Sequence, residues 1–141
     1  MAVPTVEQAI ELSLEKHRGR VDKGGAPYVL HPLRVMVAMG SDEERRVAVL
    51  HDVVEDSDVT LADLRGRGYP EREVLALDAL TRRAAEPYEA FIERVRANPL
   101  ARTVKRADLE DNMDVRRLAS VDEDARERLE RYRRAWARLG A

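Results

Sequence analysis

The sequence contains no cysteine, which excludes disulfide bonds, a thiolate nucleophile and any zinc or iron–sulfur site built on cysteine. Aromatic residues are also scarce, with one Phe and one Trp, and runs of β-branched residues are short, so β-strands are not favoured. No apolar run approaches the roughly 18 residues that span a bilayer, and the N-terminal segment lacks the basic and then apolar pattern of a signal peptide. We therefore expect a cytoplasmic protein with no membrane partner.

An excess of charge of one sign is missing as well. The 25 basic and 27 acidic residues leave a net charge of −2, so the chain lacks the broad cationic field that is typical of nucleic-acid binders. We expect no nucleic-acid partner, and any anionic ligand must be bound by a local group of basic side chains. The sequence does not predict an oligomeric state.

Helix-forming residues are abundant, above all Ala, Leu, Arg and Glu. The chain has 141 residues, of which 44% are apolar, and this is enough for one domain with a hydrophobic core but not for two. The sequence has no internal repeat, low-complexity segment or long linker. We expect an all-α fold, a single domain over residues 1–141 in which six to eight helices form a bundle with short connections.

Capping residues predict where several helices begin. Thr5 and Gln8 form a capping box before a helix that ends near His17, and Ser41 and Glu44 form another before a third helix. A glycine-rich surface loop is expected to follow the first helix. The other predicted helices run from His31–Pro32 to Gly40, from Thr60 to Gly66, from Pro70 to Leu80, from Tyr88 to Asn98–Pro99, from Leu100 past Asp108, and from a capping box of Ser120 and Glu123 towards the C-terminus.

Two polar residues interrupt apolar helix faces. His51 on the third helix and Asp108 on a later one occupy positions where a plain bundle would have Leu or Ala. A buried, unpaired carboxylate costs several kcal/mol, so Asp108 needs a cation or hydrogen-bond donors beside it. Asp52 follows His51 directly, and His31 can supply a second imidazole. Taken singly, each histidine is better explained as a core or capping residue.

Together these residues predict a site for one divalent ion. Two imidazoles and two carboxylates suit Mn²⁺, Fe²⁺ or Zn²⁺ better than Mg²⁺ or Ca²⁺, which prefer oxygen ligands. One or two coordination positions would stay open for water and a phosphate oxygen. The predicted ligands are His31, His51, Asp52 and Asp108.

Two further carboxylates follow the predicted ligands of the third helix. Glu55 and Asp56 lie four residues beyond His51 and Asp52, so a continuous helix returns them to the same side. They can orient an attacking water and handle its proton. Alternatively, they only end the helix and cap the residues that follow. Their spacing leaves both interpretations open.

Three motifs occur in order along the chain: KGGAPYVLHP at residues 23–32, AVLHDVVED at residues 48–56 and VKRADLEDN at residues 104–112. With them the sequence resembles the HD-domain metal-dependent phosphohydrolases, and most of all the RelA/SpoT-type (p)ppGpp hydrolases, including their small stand-alone forms. The resemblance extends roughly from Ala9 to Leu118. Separated motifs in a fixed order are more specific than a lone His-Asp pair.

The resemblance implies an HD-type helical bundle and a nucleotide-hydrolysing enzyme. At the matching positions, His31, His51, Asp52 and Asp108 bind one divalent ion, commonly Mn²⁺. Glu55 and Asp56 match the acidic pair that activates water. Asn112 matches a residue that contacts a small-molecule nucleotide substrate, and the basic loop with Arg20 and Lys23 matches a segment that faces its phosphates. The implied reaction is hydrolysis of the 3′-diphosphate of guanosine 3′,5′-bis(diphosphate), with release of pyrophosphate.

Two other functions remain open at this level. An HD phosphohydrolase acting on a different nucleotide, such as a nucleoside monophosphate or a dinucleotide phosphate, would use the same metal ligands. A catalytically idle helical module that binds a nucleotide or a protein partner would retain the same fold.

Several residues near the motifs have less specific interpretations. His17 closes the apolar face of the first helix and is interpreted as structural. Lys105 and Arg106 lie on different faces of one helix, so at most one of them is expected to reach the site. Tyr28 is expected to pack against the bundle.

Overall fold

A computed structural model describes residues 1–141, and its regular secondary structure is helical apart from one isolated β-bridge between Val21 and Pro27. The expected all-α fold is confirmed, with eight helices of at least six residues and one additional four-residue helical turn. None of these helices is both long enough and apolar enough to cross a membrane. The helices are α1 (Val6–His17), α2 (Leu30–Val37), α3 (Asp42–Leu50), α4 (Val53–Asp56), α5 (Leu61–Gly66), α6 (Glu71–Ala79), α7 (Tyr88–Arg96), α8 (Pro99–Asn112) and α9 (Glu123–Gly140), with a 3₁₀ turn at Val115–Arg117.

Helix α3 lies at the centre of the bundle. Its last turn, residues 47–50, is fully buried, and the helix packs against α1, α2, α6 and α8. An apolar segment that is covered on all sides buries the most surface per residue, and this burial is the main free energy that holds the helices together. The end of α3 is therefore held in place by packing on all sides.

Most helix starts follow the predicted caps. The Thr5 and Gln8 capping box is present, and Thr60 forms a second one with Asp63. The last helix differs from the prediction, because its N-cap is Asp122 instead of Ser120. The Asp122 carboxylate accepts a hydrogen bond from the Ala125 N–H at 2.8 Å, and its negative charge also favours the helix N-terminus.

The third helix is shorter than its apolar pattern predicts. It ends at Leu50, and a turn at His51 and Asp52 separates it from α4. The Ala48 carbonyl accepts two bonds from His51, one from the backbone N–H at 3.3 Å and one from ring Nδ1 at 2.7 Å. This three-residue spacing tightens the last turn and ends the regular helix. The expectation of one continuous helix through Val54 is therefore wrong.

The glycine-rich loop between α1 and α2 is closed by its own hydrogen bonds. The Asp22 carboxylate accepts bonds from the Gly24 and Ala26 N–H groups, both at 2.9 Å. Gly25 has φ of 86°, a conformation that side chains with a Cβ rarely adopt. At the loop base, the Tyr28 N–H donates to the Arg20 carbonyl at 2.8 Å. The loop therefore holds Arg20 and Tyr28 side by side.

Helix α6 offers a matched test of the core. Leu77 is 1% exposed and Leu75 is 49% exposed. Leu77→Ala is expected to lower the free energy of unfolding by about 2–5 kcal/mol, because it leaves a cavity in the core. Leu75→Ala should change it by no more than about 0.5 kcal/mol. Urea denaturation followed by circular dichroism measures both, and equal losses would contradict this packing.

Candidate metal centre and active site

Three buried side chains converge where α2, α3 and α8 meet. His31 stands in the first turn of α2, His51 directly follows α3, and Asp108 lies on the inner face of α8. The Asp108 Oδ1 atom lies 2.7 Å from His31 Nε2 and 3.2 Å from His51 Nε2. One nitrogen or oxygen from each of the three side chains lies within 4.8 Å of the other two. The three residues thus have the spacing and chemistry of a metal-binding group.

The far nitrogen of His31 is held by a carboxylate. His31 Nδ1 lies 2.6 Å from Asp111 Oδ2, and Arg34 donates to the same carboxylate from Nε at 2.7 Å and Nη2 at 3.1 Å. Arg117 also contacts Asp111, with Nη2 donating to its backbone carbonyl at 2.9 Å. Sequence reasoning missed Asp111, although its position one helical turn after Asp108 could have indicated a role beside the site.

The ring of His51 is oriented by the backbone. Its Nδ1 donates to the Ala48 carbonyl, the contact that also ends α3, so Nε2 is directed towards Asp108. Histidines that bind metals commonly donate the other ring N–H to a carboxylate or a carbonyl, which fixes the ring and its tautomer. His31 and His51 both have such a partner. The donor set of His31, His51 and Asp108 therefore fits a divalent ion.

Asp52 lies next to the metal-binding group of His31, His51 and Asp108 but is not part of it. Its Oδ2 is 3.8 Å from His51 Nε2. Its carboxylate accepts hydrogen bonds from His17, at 3.1 Å between Nε2 and Oδ1, and from the Tyr28 hydroxyl. The structure thus brings three of the four predicted ligands together, with the fourth adjacent. His17 was expected to be structural and Tyr28 to pack against the bundle, yet both hold Asp52.

Burial and neighbouring charges act in opposite directions on the pKa values. Burial lowers the pKa of His51, but the Asp52 and Asp108 carboxylates outweigh it and raise that pKa to about 9. The pKa of His31 is raised too, because its bonds to Asp108 and Asp111 outweigh burial. Burial raises the pKa of Asp108, yet nearby cationic groups hold it well below its ordinary range. Every buried charge of the site is thus compensated.

Lys105 is the basic residue of α8 that reaches the site. Its Nζ lies 2.8 Å from Asp108 Oδ2, and its side chain is mostly buried. Burial lowers the pKa of Lys105, but the Asp108 charge outweighs this and the pKa is raised. Arg106 instead lies over the Trp136 ring, with its guanidinium carbon 4.7 Å from the ring centroid. As expected, only one of the two basic residues faces Asp108.

The metal-binding group, Asp52 and Lys105 line a cavity of about 400 Å³, and the predicted acidic pair, Glu55 and Asp56, lines it too. Glu55 lines this cavity and accepts a hydrogen bond from the Arg82 N–H at 3.2 Å. Burial raises the pKa of the Glu55 carboxyl, and the Arg82 bond only partly opposes this. Asp56 Oδ2 lies 3.6 Å from Arg20 Nη1. Both carboxylates therefore belong to the same cavity as the candidate metal ligands.

The three predicted nucleotide contacts line an adjacent cavity of about 290 Å³. Its wall includes Arg20, Lys23 and Asn112. Of these three, only Asn112 also lines the cavity of the metal-binding group. Asn112 Nδ2 donates to Asp108 Oδ1 at 3.3 Å. Tyr28 and Tyr132 line both cavities, so the two spaces are neighbours.

Two arginines that line the cavity of the candidate metal ligands carried no signal in the sequence. Arg82 lies in the connection between α6 and α7, and Arg131 lies on α9, where the pattern predicted a solvated face. Their guanidinium carbons lie 5.5 Å and 5.2 Å from the centroid of the Tyr88 ring. Their place in the cavity depends on how α7 and α9 pack, which local sequence does not determine.

The chain has curated relatives, although no family model matches it. It is 32% identical over 151 residues to the GTP pyrophosphokinase of Streptomyces coelicolor, covering 96% of this chain and 18% of that protein. It is 31% identical over 120 residues to the guanosine-3′,5′-bis(diphosphate) 3′-pyrophosphohydrolase of Aquifex aeolicus, covering 77% and 17%. It is 32% identical over 143 residues to the bifunctional (p)ppGpp synthase/hydrolase SpoT of Escherichia coli K12, covering 92% and 20%. The chain thus spans about a fifth of the length of these relatives.

A solved structure covers nearly the whole chain. It is described as a metazoan ortholog of SpoT that hydrolyzes ppGpp, and it superimposes with a TM-score of 0.77 at 20% sequence identity. The match covers 99% of this chain and 88% of the other, so the two share one fold. The resemblance inferred from the motifs is confirmed: over most of its length the chain is similar to one part of the RelA/SpoT-type (p)ppGpp synthases and hydrolases.

Proposed function

We propose that the chain is a metal-dependent phosphohydrolase that removes the 3′-diphosphate of guanosine 3′,5′-bis(diphosphate). The observation that carries this proposal is the convergence of His31, His51 and Asp108 in one cavity with the carboxylates Glu55 and Asp56. Relatives named for this hydrolysis, and the solved structure described as hydrolysing ppGpp, support the choice of substrate.

The proposed ion is held by nitrogen and oxygen ligands. His31 and His51 would contribute Nε2, and Asp108 and Asp52 would contribute carboxylate oxygens. Two imidazoles with two carboxylates suit Mn²⁺, our first choice, and also Fe²⁺ or Zn²⁺. A divalent cation, when bound, supplies a Lewis acid for a phosphoryl oxygen and makes a water more acidic.

Glu55 and Asp56 are the proposed residues for water and proton handling. A water that attacks the phosphorus of the 3′-diphosphate must lose a proton, and a carboxylate in the same cavity can orient it and accept that proton. The raised pKa of Glu55 improves it as a base, since a base is most effective when its pKa is near the working pH. Asp56, 3.6 Å from Arg20, would orient the water from the other side.

The distribution of basic side chains suits a ligand with two anionic ends. The cavity of the metal-binding group is lined by Lys105, Arg82 and Arg131. The adjacent cavity is lined by Arg20 and Lys23. We propose that the nucleotide spans both cavities, with Asn112 at their junction. A free nucleotide rather than a nucleic acid is the proposed ligand, since these cations are local and the net charge is −2.

Product analysis tests the reaction directly. Purified protein with Mn²⁺ should convert guanosine 3′,5′-bis(diphosphate) and water into GDP and pyrophosphate in equal amounts, measured by anion-exchange chromatography. Asp108→Asn, which keeps the side-chain shape and loses the charge, should bind no Mn²⁺ and form no product. Faster turnover of a nucleoside monophosphate or a dinucleotide phosphate would overturn the substrate. Metal binding without turnover of any nucleotide would favour the idle module.

The Glu55 carboxylate is expected to determine the acidic limb of the pH profile. Since its pKa is raised, activity should fall as the pH drops through a value above the ordinary 4.5, where Glu55 becomes protonated. Glu55→Gln should lower kcat by about 10²- to 10⁴-fold and leave Mn²⁺ binding intact. Glu11→Gln, an exposed change on α1, is the control. An unchanged acidic limb in the Glu55 variant would argue against this role.

Metal binding should release protons. Imidazoles bind metals only when neutral at the ligating nitrogen, and the pKa of His51 near 9 keeps it protonated at pH 7 in protein prepared without metal. Mn²⁺ binding at pH 7 should therefore release at least one proton, and the affinity should rise with pH up to about 9. Titration calorimetry in buffers of different ionisation enthalpy measures this, and a heat independent of the buffer would contradict it.

A further inference from the structure

Arg20, expected to face phosphate, is already bonded inside the protein. Its Nη1 donates to His17 Nδ1 at 2.8 Å, and its guanidinium carbon lies 4.3 Å from the centroid of the Tyr28 ring. His17 and Tyr28 are the same two residues that donate hydrogen bonds to Asp52. One arginine therefore contacts both groups that hold a candidate metal ligand.

The contact with Arg20 fixes the tautomer of His17. A guanidinium has only donors, so His17 Nδ1 must be the acceptor in this bond. The proton of the neutral ring is then on Nε2, where it is donated to Asp52 Oδ1 at 3.1 Å. The side chain of His17 is fully buried, so water does not compete for either nitrogen. Arg20 thus makes His17 a donor towards Asp52.

Tyr28 holds the second oxygen of the same carboxylate. Its hydroxyl donates to Asp52 Oδ2, and burial together with the Asp52 charge raises the pKa of Tyr28, so the hydroxyl keeps its proton. The Arg20 guanidinium covers the ring, and the loop fixes both residues through the bond between the Tyr28 N–H and the Arg20 carbonyl. With a donor on each oxygen, the Asp52 carboxylate is held against rotation.

We propose that Arg20 is a positioning residue for Asp52, acting through the tautomer of His17 and the ring of Tyr28. This inference rests on the proposed function only in taking Asp52 as a metal ligand. It departs from the role implied by the resemblance, in which Arg20 only contacts the nucleotide. Removing the Arg20 donor should therefore weaken metal binding before any substrate is added.

Nuclear magnetic resonance of the metal-free protein tests the first step without turnover. The ¹⁵N shifts of the His17 ring should report the Nε2–H tautomer. Arg20→Met keeps an apolar stem over Tyr28 and removes the donors, so the ring should shift towards a mixture of tautomers. Arg18→Met changes an exposed arginine with no bond to His17 and should leave the spectrum unchanged. An Nδ1–H tautomer in the wild-type protein would overturn the proposal.

Titration of metal-free protein with Mn²⁺ alone tests the second step. Arg20→Met should weaken Mn²⁺ binding by roughly 10- to 100-fold, the usual effect of losing a partner of a metal ligand, and Arg18→Met should not. His17→Leu should have a similar effect, while His17→Gln should restore most of the affinity because its amide can donate to Asp52. The Arg20 variant keeps the test valid if a change at buried His17 prevents folding.

The substrate kinetics distinguish the two roles of Arg20. A variant Arg20→Met with wild-type Mn²⁺ affinity and His17 spectrum, but a raised KM, would identify Arg20 as a phosphate ligand only and overturn the proposal. If the wild-type protein turns over no nucleotide, the proposed function fails, and the spectrum and the Mn²⁺ titration still decide the role of Arg20.

Discussion

The buried Asp108 carboxylate is the constraint on which the site depends. An isolated carboxylate in this position would cost several kcal/mol, and His31, His51 and Lys105 offset that cost through contacts of 2.7–3.2 Å. Two of these partners come from α2 and from the end of α3, so the charge is compensated only when these segments pack correctly against α8. The packing of the bundle and the geometry of the candidate metal-binding group therefore depend on each other.

The interruption after α3 has a function in this geometry. A continuous helix would separate His51 and Asp52 by about 100° around its axis. The turn changes this relation, and Asp52 Oδ2 lies 3.8 Å from His51 Nε2. The side chain that ends the helix, His51, is also the one whose ring the Ala48 carbonyl orients. A local departure from regular structure thus brings two adjacent residues to one site.

Local signals predicted much of the fold and part of the site. The Thr5 cap was predictable because its partner Gln8 is three residues away, and Asp108 was noticeable because charge is rare on an apolar helix face. The end of α3 was missed, since the apolar spacing continues through Val54, which also packs against the core. The residues that hold the candidate ligands were even harder to predict from the sequence. His17 and Asp52 are 35 residues apart, and His31 and Asp111 are 80 apart. Only tertiary packing determines such pairs.

Asp111 connects the candidate metal ligand His31 to a distant part of the chain. It holds the His31 ring, and Arg117, in the 3₁₀ turn that leads towards α9, donates to its backbone and carboxylate. A force applied to the connection between α8 and α9 would therefore be transmitted to an imidazole through only two side chains. The connection between α8 and α9 is therefore mechanically coupled to the candidate metal-binding group, and a movement of either helix end would change the position of the His31 ring.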